Sequence, residues 1–133
     1  MNILFITEIN PFPPNSGESI RSYHLINSLL EFTDKLYLIS GSAPPDKEKY
    51  RKITYRQFPM IYSKNRWKNL ICLFRRNRSL SRIMRDLIDS DQIDIVFLDY
   101  KFIGNYIKLF KDRPTKIIYG THNVQSPTLS GAC

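Results

Sequence analysis

The chain opens with NILFIT at residues 2–7 and carries a second run of the same kind, LYLIS, at residues 36–40. Runs this short and this continuously apolar are typical of parallel strands that are buried on both faces. Between them, residues 18–32 space their apolar side chains three or four positions apart, without an internal glycine or proline, which predicts an amphipathic helix. Strand, helix and strand within forty residues predict a βαβ unit with a right-handed crossover.

The remainder of the chain continues this alternation. A third, weaker strand is expected at 53–58, followed by two helices between residues 63 and 90, a strand at 93–99, a helix at 101–111 and a strand at 116–120. Ser79 is the expected N-cap of the second of the two helices. Alternating strands and helices predict an α/β domain with a Rossmann-like parallel sheet in the order 3-2-1-4-5 and helices on both faces.

Composition places the chain among globular domains. Apolar residues make up 42% and charged residues 24% of the 133 residues, and the only cysteines are Cys72 and Cys133. These values exclude a disordered tail, a collagen-like repeat and a disulfide-stapled miniprotein. The N-terminus has no apolar leader and no stretch approaches 18 uncharged apolar residues, so the sequence predicts a soluble, cytoplasmic domain.

The loops that follow the strands are the expected place for a ligand. In a sheet of this order, ligands collect at the carboxyl ends of the strands, where the strand order reverses between strands one and four. Ser16 and Gly17 stand at the start of the first helix, whose backbone N–H groups favour an anion such as a diphosphate. The alternative is that these two residues only cap the helix.

A histidine follows the fifth strand at the same predicted edge. His122 stands just past that strand with Asn123 beside it, and the position makes His122 a candidate catalytic residue. The alternative is a structural histidine with no part in chemistry.

The residues at this edge resemble a known family. PFPPNSG at 11–17, followed by RSYHL at 21–25, is similar to the N-terminal signature of the family 4 glycosyltransferases, whose GT-B fold has two facing Rossmann-like domains. THNVQ at 121–125 resembles the family's His-Asn landmark after the fifth strand. The resemblance covers residues 1–133 as the N-terminal, acceptor-side domain. The family's C-terminal nucleotide-sugar domain lies outside this length, so we expect a truncated chain that is inactive alone.

The resemblance implies a retaining, metal-free transfer of a sugar from a nucleotide diphosphate-sugar to a glycan or lipid-linked acceptor, with no cofactor. Gly17 would let the backbone approach the donor diphosphate, and Arg21 would contact the acceptor or a phosphate, unless it is simply a surface arginine. His122 would contact the transferred sugar or the acceptor, and Asn123 would support it. Many relatives have a second glycine where this chain has Glu18, which puts a negative charge near the proposed phosphate position.

The net charge of +8 comes from one segment. Eight Lys or Arg residues and no acidic residue lie between Lys64 and Arg85, and the remaining 12 basic residues equal the 12 acidic ones. We expect this segment to lie on an anionic membrane surface, where each cation contributes about 1 kcal/mol. The alternative is that its apolar stripe packs on the sheet and its cations are solvated. The expected membrane-facing residues are Trp67, Lys68, Arg75, Arg76 and Arg78.

Other classes of function receive less support from the sequence. A nucleic-acid-binding module would use the run at 75–78 with Trp67 and Phe74 as stacking residues, but no helix-turn-helix, RRM or KH signature accompanies them. No Gly-x-Gly-x-x-Gly follows the first strand, which argues against a dinucleotide-binding domain. No metal site is predicted, because the Asp-x-Asp at 89–91 falls in a turn at the amino end of a strand. An inactive remnant and a stand-alone acceptor- or membrane-binding module remain open alternatives.

Overall fold

The computed structural model of the chain describes residues 1–57, 78–90, 93–99, 101–110 and 112–120, and within 101–110 it describes the side chains from Tyr106 onward. Strands and helices alternate along these residues. In chain order the elements are β1 (Asn2–Thr7), α1 (Gly17–Leu30), β2 (Lys35–Ser40), β3 (Ile53–Gln57), α2 (Arg78–Ser90), β4 (Ile95–Asp99), a 3-10 helix (Lys101–Phe110) and β5 (Lys116–Gly120).

The five strands form one parallel sheet in the order β3-β2-β1-β4-β5, which confirms the predicted α/β, Rossmann-like class and strand order. β1 lies in the centre, with β2 on one side and β4 on the other, so the chain order reverses between β1 and β4. At the carboxyl edge, the register places Asp99 beside both Thr7 and Gly120. The last residues of three adjacent strands are therefore neighbours.

Helices cover both faces of the sheet, as the sequence predicts. Alternate residues of a strand point to opposite faces, so Ile3 and Phe5 join the α1 side while Leu4 and Ile6 join the other. One core packs strand residues against Ile26 of α1. The other packs strand residues against α2 and the 3-10 helix, and its helical members include Leu80, Met84, Leu87, Tyr106 and Phe110.

One detail of the helical predictions is wrong, and the type of another helix is now defined. α2 already includes Arg78, so Ser79 is an exposed residue inside the helix and not its N-cap. The predicted helix at 101–111 is a 3-10 helix over Lys101–Phe110, with Tyr106 and Phe110 buried against the sheet. The first of the two helices expected between residues 63 and 90 lies outside the described residues.

β5 forms one edge of the sheet and is more exposed than the central strands. Ile118 and Tyr119 are 44% and 38% exposed, whereas each residue from Ile3 to Ile6 of β1 is at most 1% exposed. Phe97 of β4 stacks on Phe5 with ring centroids 5.0 Å apart, which holds β4 against the centre of the sheet.

Candidate functional site

The candidate site begins with a charged residue at the end of an apolar strand. Asp99 closes β4, directly at the point where the strand order reverses, and its side chain is fully buried. A buried carboxylate is costly unless hydrogen bonds or an opposite charge satisfy it. The residues that bind the Asp99 carboxylate are therefore the starting point for describing this edge of the sheet.

Helix α1 supplies two of those partners from consecutive residues. Oδ1 of Asp99 accepts a hydrogen bond from Nη1 of Arg21 at 2.7 Å, and Oδ2 accepts one from the Ser22 hydroxyl at 2.6 Å. Both oxygens are thus engaged, and the bond from Arg21 is charge-assisted. The pair fixes the N-terminal half of α1 to the carboxyl end of β4. Because the Arg21 side chain remains 38% exposed, its guanidinium lies at the boundary between the core and solvent.

The absence of a side chain at Gly120 leaves room for the Arg21 guanidinium. A Cβ atom at Gly120 would lie 3.2 Å from Nη2 of Arg21 and 3.3 Å from Cε1 of Phe97, closer than ordinary van der Waals contact. A larger residue at this position would push on both groups. Gly120 ends β5, and the chain continues from it to Thr121 and His122.

Ser16 caps α1 with its own side chain. Its backbone is extended (φ −134°, ψ 163°), its hydroxyl accepts the Ser19 N–H at 3.2 Å, and the Ser19 hydroxyl accepts the Ser16 N–H at 2.8 Å. This reciprocal arrangement is a capping box, with serine in place of the usual Glu or Gln. The capping role that the sequence offered as an alternative accounts for the Ser16 hydroxyl.

Gly17 is not required by the local fold. No atom lies within 4 Å of the position that its Cβ would take, and its φ is outside the left-handed region. A side chain would therefore be tolerated, and the helix start presents open backbone at this residue. Glu18 beside it is exposed and contributes a negative charge to the first turn of α1.

Further acidic and phenolic groups lie along the same edge. Glu8 directly follows β1, and Tyr119 precedes Gly120 in β5. Burial, and then the Glu8 carboxylate, raise the pKa of the Tyr119 phenol above its ordinary value. The described edge thus combines the Arg21 guanidinium with three carboxylates, those of Glu8, Glu18 and Asp99. That balance favours hydroxyl groups of a neutral ligand over an isolated polyanion.

The sequence-predicted site residues divide into two groups. Ser16, Gly17 and Arg21 lie on the first turns of α1, and Arg21 reaches the edge where the strand order reverses. His122 and Asn123 lie outside the described residues, as do Trp67, Lys68, Arg75 and Arg76. The sequence reasoning did not single out Asp99, Ser22 and Gly120. The available signal was a lone aspartate ending an apolar strand.

Part of the basic segment is described, in α2. Arg78, Arg82 and Arg85 are exposed and follow one another four and three positions apart, so they share one face of the helix, away from its buried side. Two exposed aspartates, Asp86 and Asp89, lie on the same face. Nearer the C-terminus of α2, Asp89 pairs with Arg113 at 2.6 Å. Within the described ranges, no helix combines the length and the hydropathy needed to cross a bilayer.

No group of three or more His, Cys, Asp or Glu side chains in the described part of the chain is placed to hold a metal ion. No protein-family model, curated protein or solved structure matches the chain. The fold and the site therefore define a class by architecture: a Rossmann-like α/β domain whose carboxyl edge holds a buried aspartate bound by an arginine and a serine from the first helix.

Proposed function

We propose that this chain is the acceptor-side domain of a retaining glycosyltransferase of the GT-B type, which transfers a sugar from a nucleotide diphosphate-sugar to a glycan or lipid-linked acceptor. The observation that carries the proposal is the position of Arg21. Its guanidinium lies at the reversal of strand order, held at 2.7 Å by Asp99 and adjoining Gly120. In open parallel sheets this is the place where ligands bind.

The net charge of the edge favours binding of an acceptor sugar over binding of a nucleotide diphosphate-sugar donor. Glu8, Glu18 and Asp99 outnumber the single guanidinium of Arg21, and an unshielded diphosphate would meet net repulsion there. Sugar hydroxyls donate hydrogen bonds to carboxylates and accept them from a guanidinium, so they can bind both the negatively and the positively charged groups of this edge. The donor diphosphate then needs cations from a second domain that faces this edge.

The motif after β5 supplies the proposed catalytic group. β5 ends at Gly120, two residues before His122 in the sequence, and Asn123 follows directly. In a polypeptide that joins this domain to a nucleotide-sugar-binding domain, His122→Ala is expected to reduce turnover strongly while the fold is retained. Normal turnover of that variant would remove His122 from the mechanism.

The proposed partner on a second surface is an anionic membrane. Three exposed arginines share one face of α2, and they continue the run of positive charge that begins at Lys64. Lipid-linked acceptors reside in membranes, so these arginines would keep the domain beside its substrate. Each arginine near such a surface contributes about 1 kcal/mol.

The class of ligand tests the proposal directly. We expect neutral saccharides, titrated into the isotopically labelled chain, to shift the backbone NMR signals of Arg21, Ser22, Asp99 and Gly120. Nucleotide diphosphate-sugars are expected to leave these signals unchanged in the absence of a donor-binding domain. Binding of nucleotide-sugars without binding of saccharides would reverse the assignment of this domain to the acceptor side.

A further inference from the structure

A second concave site lies between two proline-containing loops on the α1 side of the sheet. The β1–α1 loop contributes Phe12, Pro13 and Pro14, and the β2–β3 loop contributes Ala43, Pro45 and Lys49. The cavity between them has a volume of about 470 Å³, within the range of small-molecule sites. Because proline fixes the backbone φ angle, the walls of this cavity are held in position before any ligand arrives.

Aromatic rings form the floor of the cavity. The Phe12 ring contacts Tyr50 and Tyr23 edge-on, with centroid distances of 5.2 and 5.9 Å. Phe12 and Tyr50 are almost completely buried and belong to the hydrophobic core, so the half-buried Tyr23 is the ring of the floor that a ligand can reach. The Phe12 N–H also donates to the Ser42 hydroxyl at 3.1 Å, which ties the two loops together. An aromatic ring suits the flat apolar side of a ring-shaped ligand.

Lys49 places a positive charge at the rim. Its Nζ lies 5.2 Å from the centroid of the Tyr50 ring, and the neighbouring Tyr50 hydroxyl, followed by Tyr23, raises the pKa of this ammonium. Lys49 therefore stays charged at neutral pH. It forms no ion pair with any other residue in the described ranges.

A carboxylate, that of Asp46, lines the cavity as well, and one of its oxygens is held by the backbone. Oδ1 of Asp46 accepts the backbone N–H groups of Glu48 and Lys49 at 3.0 and 3.1 Å, which closes the turn that carries the lysine. Among the described residues that line the cavity, Lys49 carries the positive charge, and its ammonium is the group that can meet an anion on a ligand. An ammonium binds carboxylate or phosphate oxygens as a point charge.

We propose that this cavity binds a pyranose that carries an acidic group, with its ring against Tyr23 and its anion on Lys49. The choice of a sugar over another ring-shaped acid rests on the proposed function, and the inference names the acceptor as an acidic sugar or its glycoside. Glu18 and Glu8 are at the polar edge and not in this cavity, so the acidic group and the neutral hydroxyls are recognised at separate places.

The test is a titration of the labelled chain with glucuronate, glucose 6-phosphate and glucose. We expect the backbone signals of residues 43–50 to shift with the acidic sugars, and about tenfold weaker or no binding for glucose at these signals. If one acid binds and the other does not, the ligand's anion is identified as carboxylate or phosphate. Equal affinity for glucose, or no shift at 43–50 with either acid, would overturn the proposal.

Variants of exposed lysines separate charge recognition from general electrostatics. Lys49→Gln is expected to weaken binding of the acidic sugars about tenfold, and Lys49→Arg, which keeps the charge, should retain most of it. Lys47→Gln removes the same charge two residues away on the same turn and is expected to have no effect. An equal loss in both glutamine variants would contradict a specific role for Lys49. The NMR signals of residues 43–50 are distinct from those of Asp99 and Gly120. The absence of binding at residues 43–50 would therefore overturn this inference and leave the proposed function unaffected, and the absence of binding at Asp99 and Gly120 would be seen separately.

Discussion

Asp99 and Arg21 are separated by 78 positions in sequence and form an ion pair of 2.7 Å between Oδ1 and Nη1. The aspartate is completely buried, and the arginine is partly exposed. The pair joins the first helix to the strand beyond the reversal point, so it both stabilises the domain and orients the guanidinium. The stabilising role and the orienting role of this ion pair lead to separate predictions.

Removing the charge of Asp99 should destabilise the fold. Asp99→Asn leaves Arg21 and Ser22 facing an amide, and the cost is expected to be about 2 kcal/mol in the free energy of unfolding, measured with urea. The matched control is Asp89→Asn, because Asp89 also pairs with an arginine, Arg113, at 2.6 Å but is 62% exposed. That change should cost less than about 0.5 kcal/mol. Similar losses in the two variants would contradict the importance of burial.

The cap of α1 gives a second prediction about stability. Ser16→Ala removes the acceptor for the Ser19 N–H and should lower the free energy of unfolding by about 1 kcal/mol. Ser28→Ala, an exposed serine inside the same helix, is the control and should be neutral or slightly stabilising. Gly17→Ala meets open space and is expected to change stability by less than about 0.5 kcal/mol. A large loss in Gly17→Ala would show a structural role that its surroundings do not predict.

Tyr119 predicts how stability depends on alkaline pH. Burial and the Glu8 carboxylate raise its pKa in the folded state, so the folded chain holds this proton more tightly than the unfolded chain. The associated stability is fully present below the ordinary tyrosine pKa of about 10 and is lost as the pH rises through the higher folded-state value. Tyr119→Phe should flatten this decline in urea unfolding measured from neutral to alkaline pH, and Glu8→Gln should flatten it less. An unchanged slope in Tyr119→Phe would contradict the shift.

The three exposed arginines of α2 predict binding to anionic vesicles. Replacing Arg78, Arg82 and Arg85 with Gln should reduce pelleting with phosphatidylserine-containing vesicles at least tenfold, since the three charges contribute about 3 kcal/mol at low salt. The control replaces three exposed cations elsewhere with Gln: Lys47, Arg51 and Lys116. Binding should fall as salt is raised. Equal losses in both triple variants would indicate attraction by net charge alone, without a membrane-facing surface.

The sequence predicted the sheet because local patterns determine it. The apolar runs at residues 2–7 and 36–40 have a length and composition typical of buried strands, and the parallel order follows from their alternation with helices. The start of α2 could not be placed, because Ser79 is a good capping residue wherever it falls and nothing in the local pattern distinguishes it from an exposed helical serine.

The site was only partly predictable for a different reason. Ser16 and Gly17 indicate the start of a helix through the residues next to them in sequence, so the sequence alone identifies them. The contact of Asp99 with Ser22 spans 77 positions and exists only because β4 lies beside β1 in the folded sheet. Gly120 likewise has no local signal, since its need for a small side chain comes from Arg21 across the edge.

The most direct test of the central claim, that this edge binds an acceptor sugar through Arg21, is a saccharide titration of the wild-type chain and of Arg21→Gln, followed by the backbone NMR signals of Ser22, Asp99 and Gly120. Arg51→Gln, which removes an exposed arginine elsewhere, is the control. We expect saccharides to shift these signals in the wild type and the control, and at least tenfold weaker binding in Arg21→Gln. Undiminished binding in Arg21→Gln, or shifts confined to residues away from this edge, would contradict the account.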